Sequence, residues 1–406
     1  MSVVKYDFIF AGAGLSGLTL AVQMHQKGLL EGKKVLLLDA DRKEQNDRTW
    51  CFWATPQEVE AMPPVIFRRW DGCFFYSKTQ NGRLDTGHYA YYMVQAKDFY
   101  AWAKQQLEGA AGVEWRQEKI TALDADTGRV ATTEGRYEGI WVFNSALVAT
   151  ALMPTSEALP FRMPFTLGKK VVPAKYSHLL QHFKGWVVET SAPAFDPACA
   201  TLMDFRIPQE GETRFVYVLP LSERSALVEF TVFSPKVLAQ EEYDVVLENY
   251  LRQYCGATAW EVHETEFGVI PMTDFPFKQQ QGRVIHIGTP GGQVKPSSGY
   301  AFKRVQERME HFVLHWKQKG APNVLLLRSG RRFRVYDSIF LRALSDRLVP
   351  GDAVFSAFFS RLGGAGVFRF LDEKSHFLQD LKALYSVPTL PFLKAFARQI
   401  NVLFKV

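Results

Sequence analysis

Two short stretches of this sequence carry residue types whose spacing suits chemistry. Gly12-Ala13-Gly14-Leu15-Ser16-Gly17 has the form G-x-G-x-x-G. In that pattern the first glycine permits a tight turn, the second lets the backbone approach a pyrophosphate, and the third lets helix and strand pack closely. Asp39 ends the next apolar run, where a carboxylate can accept from ribose hydroxyls. Together these predict a dinucleotide site, open between NAD and FAD. The second stretch is Ala226–Phe233, whose alternation puts Glu229 on one face with Leu227, Thr231 and Phe233. A carboxyl group among apolar neighbours keeps its proton to higher pH and can act as a general acid or base. Two other placements fit the same residues: the solvated face of an edge strand, or an ion pair with Arg224 or Arg214.

Positioning these groups requires a sheet that ends at the glycines. Lys5–Ala11 reads as a strand, Leu15–Lys27 as a helix and Lys34–Asp39 as a buried parallel strand, which makes a βαβ opening. Ala96–Leu107 reads as a helix, and Val113–Asp124, Arg129–Thr133 and Ile140–Phe143 as strands. Between about 154 and 266 alternating strands dominate, clearest at Thr201–Arg206, Arg214–Leu221 and Ser225–Phe233, with a helix at Gln240–Tyr254. Arg283–Ile287 is again a buried strand, and beyond about Phe340 the pattern is helical. The expected architecture is an α/β dinucleotide-binding domain from 1–153 and 267–340, a β-rich substrate domain at 154–266, and a helical region at 341–406.

Composition narrows the class. Apolar residues form 47% of the 406, enough for a large core, and the 14% aromatic content suits either that core or a pocket for a long apolar molecule. The net charge of +6 is dispersed, which argues against nucleic acid and permits attraction to an anionic membrane surface. Cys51, Cys73, Cys199 and Cys255 are far apart, so neither a disulfide scaffold nor a metal site is expected, and a reducing cytoplasm fits. The chain opens directly on a strand pattern with no secretory signal. Its longest uncharged stretch, Gly139–Ser156, contains Asn144, Ser145, Thr150 and Pro154 and reads as strand and loop. Val354–Leu371 and Tyr385–Val406 are rich in Phe and Leu, and the second carries Lys394, Arg398 and Lys405 without an acid. That composition fits an interfacial segment or packing on the core.

Longer segments carry a resemblance. Arg283–Phe302 reads as a strand, a Gly/Pro loop and then Ser297-Ser298-Gly299 opening a helix. It resembles the second flavin-binding segment of FAD monooxygenase-like proteins, with Thr289 where Asp is usual. Asn46–Trp53, NDRTWCFW, resembles the N-terminal hallmark of bacterial and plant lycopene cyclases, and similar segments follow at 179–189, 202–206, 214–221, 267–272, 287–302 and 367–373. The resemblance implies a Rossmann-type FAD-binding domain with an inserted β-rich substrate domain and a helical C-terminal region. It implies acid-catalysed closure of the ψ-ends of lycopene to β-ionone rings through a carbocation. Reduced FAD would assist without net redox change, with NAD(P)H as its reductant. It also implies a lipophilic carotenoid substrate and a cytoplasmic protein held peripherally on the inner face of the cell membrane.

Carried onto this chain, the resemblance assigns the cofactor to Gly12, Ala13, Gly14, Gly17, Asp39, Arg48, Gly288, Gly291, Gly292 and Gly299. It assigns catalysis to Glu229. The plant cyclases have a second acid where this chain has Phe230, so Asp204 is the candidate second acid. Trp50, Phe52, Trp53, Tyr217 and Phe230 are candidates to line the substrate cavity, where aromatic faces can support a cation. One rival is a flavin monooxygenase or dehydrogenase acting on an apolar isoprenoid or aromatic substrate. Hydroxylases of that fold usually carry Asp-Gly where this chain reads Asn144-Ser145-Ala146-Leu147, and Thr289 replaces their second acid, so oxygen chemistry is disfavoured. Another is a non-catalytic carotenoid-binding flavoprotein, which needs no buried acid.

Overall fold

The computed structural model describes residues 3–146 and 175–403. The domain division expected at 153/154, residues 147–156 of the long uncharged stretch, and Lys405 lie outside them.

The first sheet is built from apolar runs covered on both faces. Val4–Ala11 lies between the parallel strands Arg136–Asn144 and Val35–Asp39, with Val284–His286 and Val113–Gln117 further out. Phe10, Leu37 and Phe143 pack with residues of the helices Leu15–Gln26, Ala96–Leu107 and Phe302–Lys319. Ile9, Leu36 and Val142 pack on the other side with Leu123 and Val130 of two antiparallel strands. Because the strands run parallel, Gly12, Asp39, Asn144 and Gly288 converge just beyond one edge, where such sheets bind ligands. Gly12 adopts a φ of +105°, and a Cβ on Gly17 would stand 2.0 Å from the Gly12 carbonyl oxygen. Only glycine lets the first helix start this close to the strand.

The second sheet has the order Trp260–Thr273, His178–Thr190, Ser225–Ser234, Thr213–Pro220, Cys199–Asp204, Gly72–Tyr76 and Asn81–Arg83. Two of its strands precede residue 154 and another runs past 266, so it draws on more of the chain than the stretch expected to form it. One face is covered by the Gln240–Gln253 helix through Tyr243, Leu247 and Leu251. The other faces the helices Arg331–Ser345 and Gly351–Leu371 through Phe340, Phe355 and Phe359. Among the described residues, Gly351–Leu371 is long and apolar enough to cross a membrane, but Val354, Phe355 and Phe359 are buried in this core.

A small sheet of Arg68–Trp70, Ala90–Gln95 and Thr49–Ala54 joins the halves: Phe52 packs in the first core and its neighbour Trp53 in the second. The helix expected to open at Ser297 starts at Phe302 instead. Gly299 is held at a φ of +74°, and its N–H donates to the Lys295 carbonyl in a preceding turn. Val113–Asp124 divides into two strands at Glu118 and Lys119.

Candidate active site

A cavity of about 680 Å³ runs from the edge of the first sheet to the inner face of the second. At its first end it is bordered by Gly12, Gly14, Asp39, Arg48, Gly288 and Gly299. The Ala13 amide donates to Asp39 Oδ2 over 2.7 Å, which fixes the carboxylate at the end of its strand. Nothing lies within 4 Å of where a Cβ on Gly14 would stand, so there is room against the N-terminus of the Leu15–Gln26 helix, whose free N–H groups favour an anion. Ser298 Oγ and Gln181 Oε1 border the same cavity, buried and without hydrogen-bond partners. A polar, pyrophosphate-bearing dinucleotide fits this end. Ala13, Gly17, Gly291 and Gly292 are not on the cavity wall. They shape the loops behind it: a Cβ on Gly291 would meet the His286 carbonyl oxygen at 2.4 Å, and one on Gly292 the Phe277 ring at 2.8 Å.

At the other end the sheet presents a row of acids. Gly185, on the His178–Thr190 strand, pairs with Glu229 on one side and Glu266 on the other, and Glu229 pairs in turn with Tyr217. Directly paired residues share a face, so Tyr217, Glu229 and Glu266 all point into the cavity that they border. Gly185 leaves a notch between the acids, where a Cβ would stand 3.1 Å from Glu266 Cγ and 3.0 Å from Leu227 Cδ1. The two carboxyl groups face each other across it closely enough that each shifts the ionisation of the other. Thr231 Oγ1 donates to Glu229 over 2.7 Å and Thr49 Oγ1 to Glu266 over 3.0 Å.

Glu229 borders the cavity yet is enclosed by protein, so its exposure is to the cavity rather than to bulk water. Burial, and then the neighbouring Glu266, hold its proton well above the ordinary carboxylate range. Burial also raises Glu266, while Thr49, Glu229 and Arg48 oppose the rise. The alternatives for Glu229 are excluded. Its strand is interior to the sheet, Arg214 pairs with Glu210 and Glu212, and Arg224 pairs with Glu189. Leu227, Thr231 and Phe233 border the cavity beside it, as the alternation predicts.

Aromatic rings enclose the space. Trp53 stacks on Phe368 at 4.6 Å and meets Tyr300 edge-on at 4.6 Å, and the Tyr91 hydroxyl contacts those of Tyr217 and, at 2.8 Å, Tyr300. Trp50, Trp53 and Tyr217 border the cavity as expected. Phe52 and Phe230 do not: Phe52 stacks on Tyr92 and Phe302 in the first core, and Phe230 packs on Tyr243 under the outer helix. Asp204 is also elsewhere. It pairs with Val216, whose side chain lies on the outer face, and is held by Arg206 Nε at 2.9 Å and the Tyr250 hydroxyl at 2.8 Å. Glu266, Gly185 and Thr49 were not found by sequence reasoning. The available signal was small: Glu266 directly precedes the family-like segment at 267–272, and alternation along Trp260–Thr273 sets it on one face with Glu264 and Gly268.

Comparison with known proteins adds a family. Residues 7–397 match the family model described as lycopene cyclase protein. A lycopene beta-cyclase of Pantoea ananas is 22% identical over 305 residues, covering 73% of this chain and 71% of its own. One from Paracoccus sp. is 25% identical over 364 residues, covering 86% and 84%. Among solved structures, a geranylgeranyl bacteriochlorophyll reductase-like protein of Thermoplasma acidophilum superposes with a TM-score of 0.57 at 13% identity, covering 100% of this chain and 98% of its own. The halogenase PltM gives 0.52 at 13% identity, covering 98% and 91%. A probable FAD-dependent monooxygenase of Pseudomonas aeruginosa gives 0.50 at 13% identity, covering 91% and 100%, and these likenesses show the fold alone.

Proposed function

The chain belongs to the lycopene cyclase family, and from that premise we propose that it closes the linear ψ-ends of lycopene into β-ionone rings, forming β-carotene as an isomer of its substrate. The observation that carries the reading is Glu229: an enclosed carboxyl group with no basic partner among the described residues, on the floor of an aromatic-walled cavity that continues to a dinucleotide cradle. Its proton adds to the terminal alkene of the ψ-end, the second alkene closes the ring, and loss of a ring proton ends the cycle. Exclusion of water protects the carbocation. The faces of Trp53 and Tyr300 stabilise it by roughly 0.5–2 kcal/mol per well-placed ring.

Gly12, Gly14, Asp39, Gly288 and Gly299 would hold FAD, with Ser298 and Gln181 offering it their unpartnered polar atoms. Bound in reduced form, FAD supplies negative charge beside the cation; NAD(P)H serves only to reduce it. Thr289 and Asn144, in place of the hydroxylase acids, favour this non-redox use.

The protein lies peripherally on the membrane on this reading, which the C-terminal helices Phe377–Ser386 and Thr389–Leu403 support. They expose Phe377, Leu378, Tyr385, Leu390 and Leu393 alongside Lys382 and Lys394, an apolar face with cations suited to the cytoplasmic leaflet. The cavity wall includes Leu384, Val387 and Phe392 of this same region, which supports entry of a lipid-borne polyene from this side. Expression in a lycopene-accumulating bacterium tests the activity: β-ring products in the pigment chromatogram are expected. Lycopene left intact, or NADPH consumed in step with product, would overturn the reading.

A further inference from the structure

Two acids that face each other across a glycine are an expensive arrangement, because both cannot ionise in an enclosed site without strong repulsion. No cation bridges them: among the described residues neither Glu229 nor Glu266 forms a salt bridge. The titratable groups around them are Tyr217 on the adjoining strand, Tyr91 and Cys51 of the small sheet, Tyr300 beyond the second flavin-type segment, and Arg48 and Glu264 nearer Glu266. Each acid accepts from one threonine, Glu229 from Thr231 and Glu266 from Thr49, but Arg48 favours the charged form of Glu266, whereas burial and Glu266 itself hold the proton on Glu229. The singly protonated pair thus has a preferred order, with the proton on Glu229 and the charge on Glu266.

We propose that Glu266 is the second catalytic carboxylate, which receives the proton that the new ring loses, while the proton from Glu229 stays in the product. The inference rests on the cyclase reading. The Glu229 O–H bond breaks as its proton forms a C–H bond at the less substituted carbon of the terminal alkene, leaving a tertiary cation. The electron pair of the second alkene makes the ring C–C bond. A ring C–H bond then breaks to leave the new ring alkene, and its proton goes to the Glu266 carboxylate. Transfer across the Gly185 notch restores the starting pair. No proton or electron is consumed, so product and substrate are isomers and no water needs to enter the cavity.

The test is single-turnover conversion of lycopene against pH by FAD-loaded wild type, Glu266→Gln and Thr49→Val, with flavin content as the folding control. The wild-type rate falls at low pH, where both acids are protonated, and at high pH, where neither is. Glu266→Gln should lose about 10²–10⁴-fold and its acid limb. Its alkaline limb should move to lower pH, because Glu229 no longer faces an anion. Thr49→Val should move the acid limb to higher pH, since Glu266 loses a hydrogen bond that favours its charged form. Near wild-type rates and an unchanged profile in Glu266→Gln would overturn the proposal. Should that variant lose its flavin, an unmoved acid limb in Thr49→Val would do the same. A wild type that converts no lycopene would instead overturn the cyclase reading itself.

Discussion

Glu229 and Asp204 are both acids inside one sheet, and the two faces treat them differently. On the outer face Asp204 is met by the Arg206 guanidinium, the Arg206 amide and the Tyr250 hydroxyl, and Arg206 is itself sandwiched between the Tyr76 and Tyr254 rings. Every lone pair is used, and the cluster ties the strand to the Gln240–Gln253 helix. On the inner face Glu229 has one threonine hydroxyl and another acid. A carboxylate given a guanidinium is structural, because the site has already answered its charge. One left beside a like group in an apolar cavity is held in reserve for proton transfer. On the proposed reading, the two faces of this one sheet separate stability from activity.

That separation can be broken in measurable steps. The largest effect is expected on the inner face: Glu229→Gln should bind FAD normally and lose about 10²–10⁴-fold in ring closure, read from pigment turnover per bound flavin. Asp204→Asn should do the converse, costing about 1–3 kcal/mol of stability in denaturant titration with turnover per bound flavin unchanged; a turnover loss matching that of Glu229→Gln would erase the distinction. Gly185→Ala comes next. Its Cβ pushes on Glu266 and Leu227 at 3.1 and 3.0 Å, and a shift of a few tenths of an ångström in the acid pair should cost about tenfold in turnover, given that ~1 Å misplacements cost about 10².

The smallest effect is on stability against pH. The folded protein holds the Glu229 proton above the ordinary range, so the favourable contribution is complete below about pH 4 and is lost as pH rises towards the folded value. Wild type should therefore lose stability relative to Glu229→Gln between acidic and neutral pH. Parallel curves would show that Glu229 is not held protonated.

The inner face was half legible in the sequence. The glycine fingerprint and the face of Glu229 depend on local spacing, and both are where the spacing put them. The same alternation that turns Glu229 inward sends Phe230 outward, so Phe230 was separable on parity alone, whereas Phe52 shares its parity with Trp50, which borders the cavity, and was not. Asp204 was not, because a register irregularity interrupts its pairing with the next strand. Glu266 meets Glu229 only through a third strand that supplies Gly185, and register between distant strands leaves no periodic trace in the chain. The partner that changes a lone acid into a proton-sharing pair was hidden for that reason.

The protonation state of Glu229 tests the central claim most directly. Infrared difference spectra of FAD-loaded wild type and Glu229→Gln at neutral pH isolate the carbonyl stretch of this one side chain. The account predicts a protonated carboxylic acid band, shifted in deuterated water, that disappears with the substitution. Loss of carboxylate bands alone, with no acid band removed, would mean that Glu229 is ionised at rest and cannot be the proton donor.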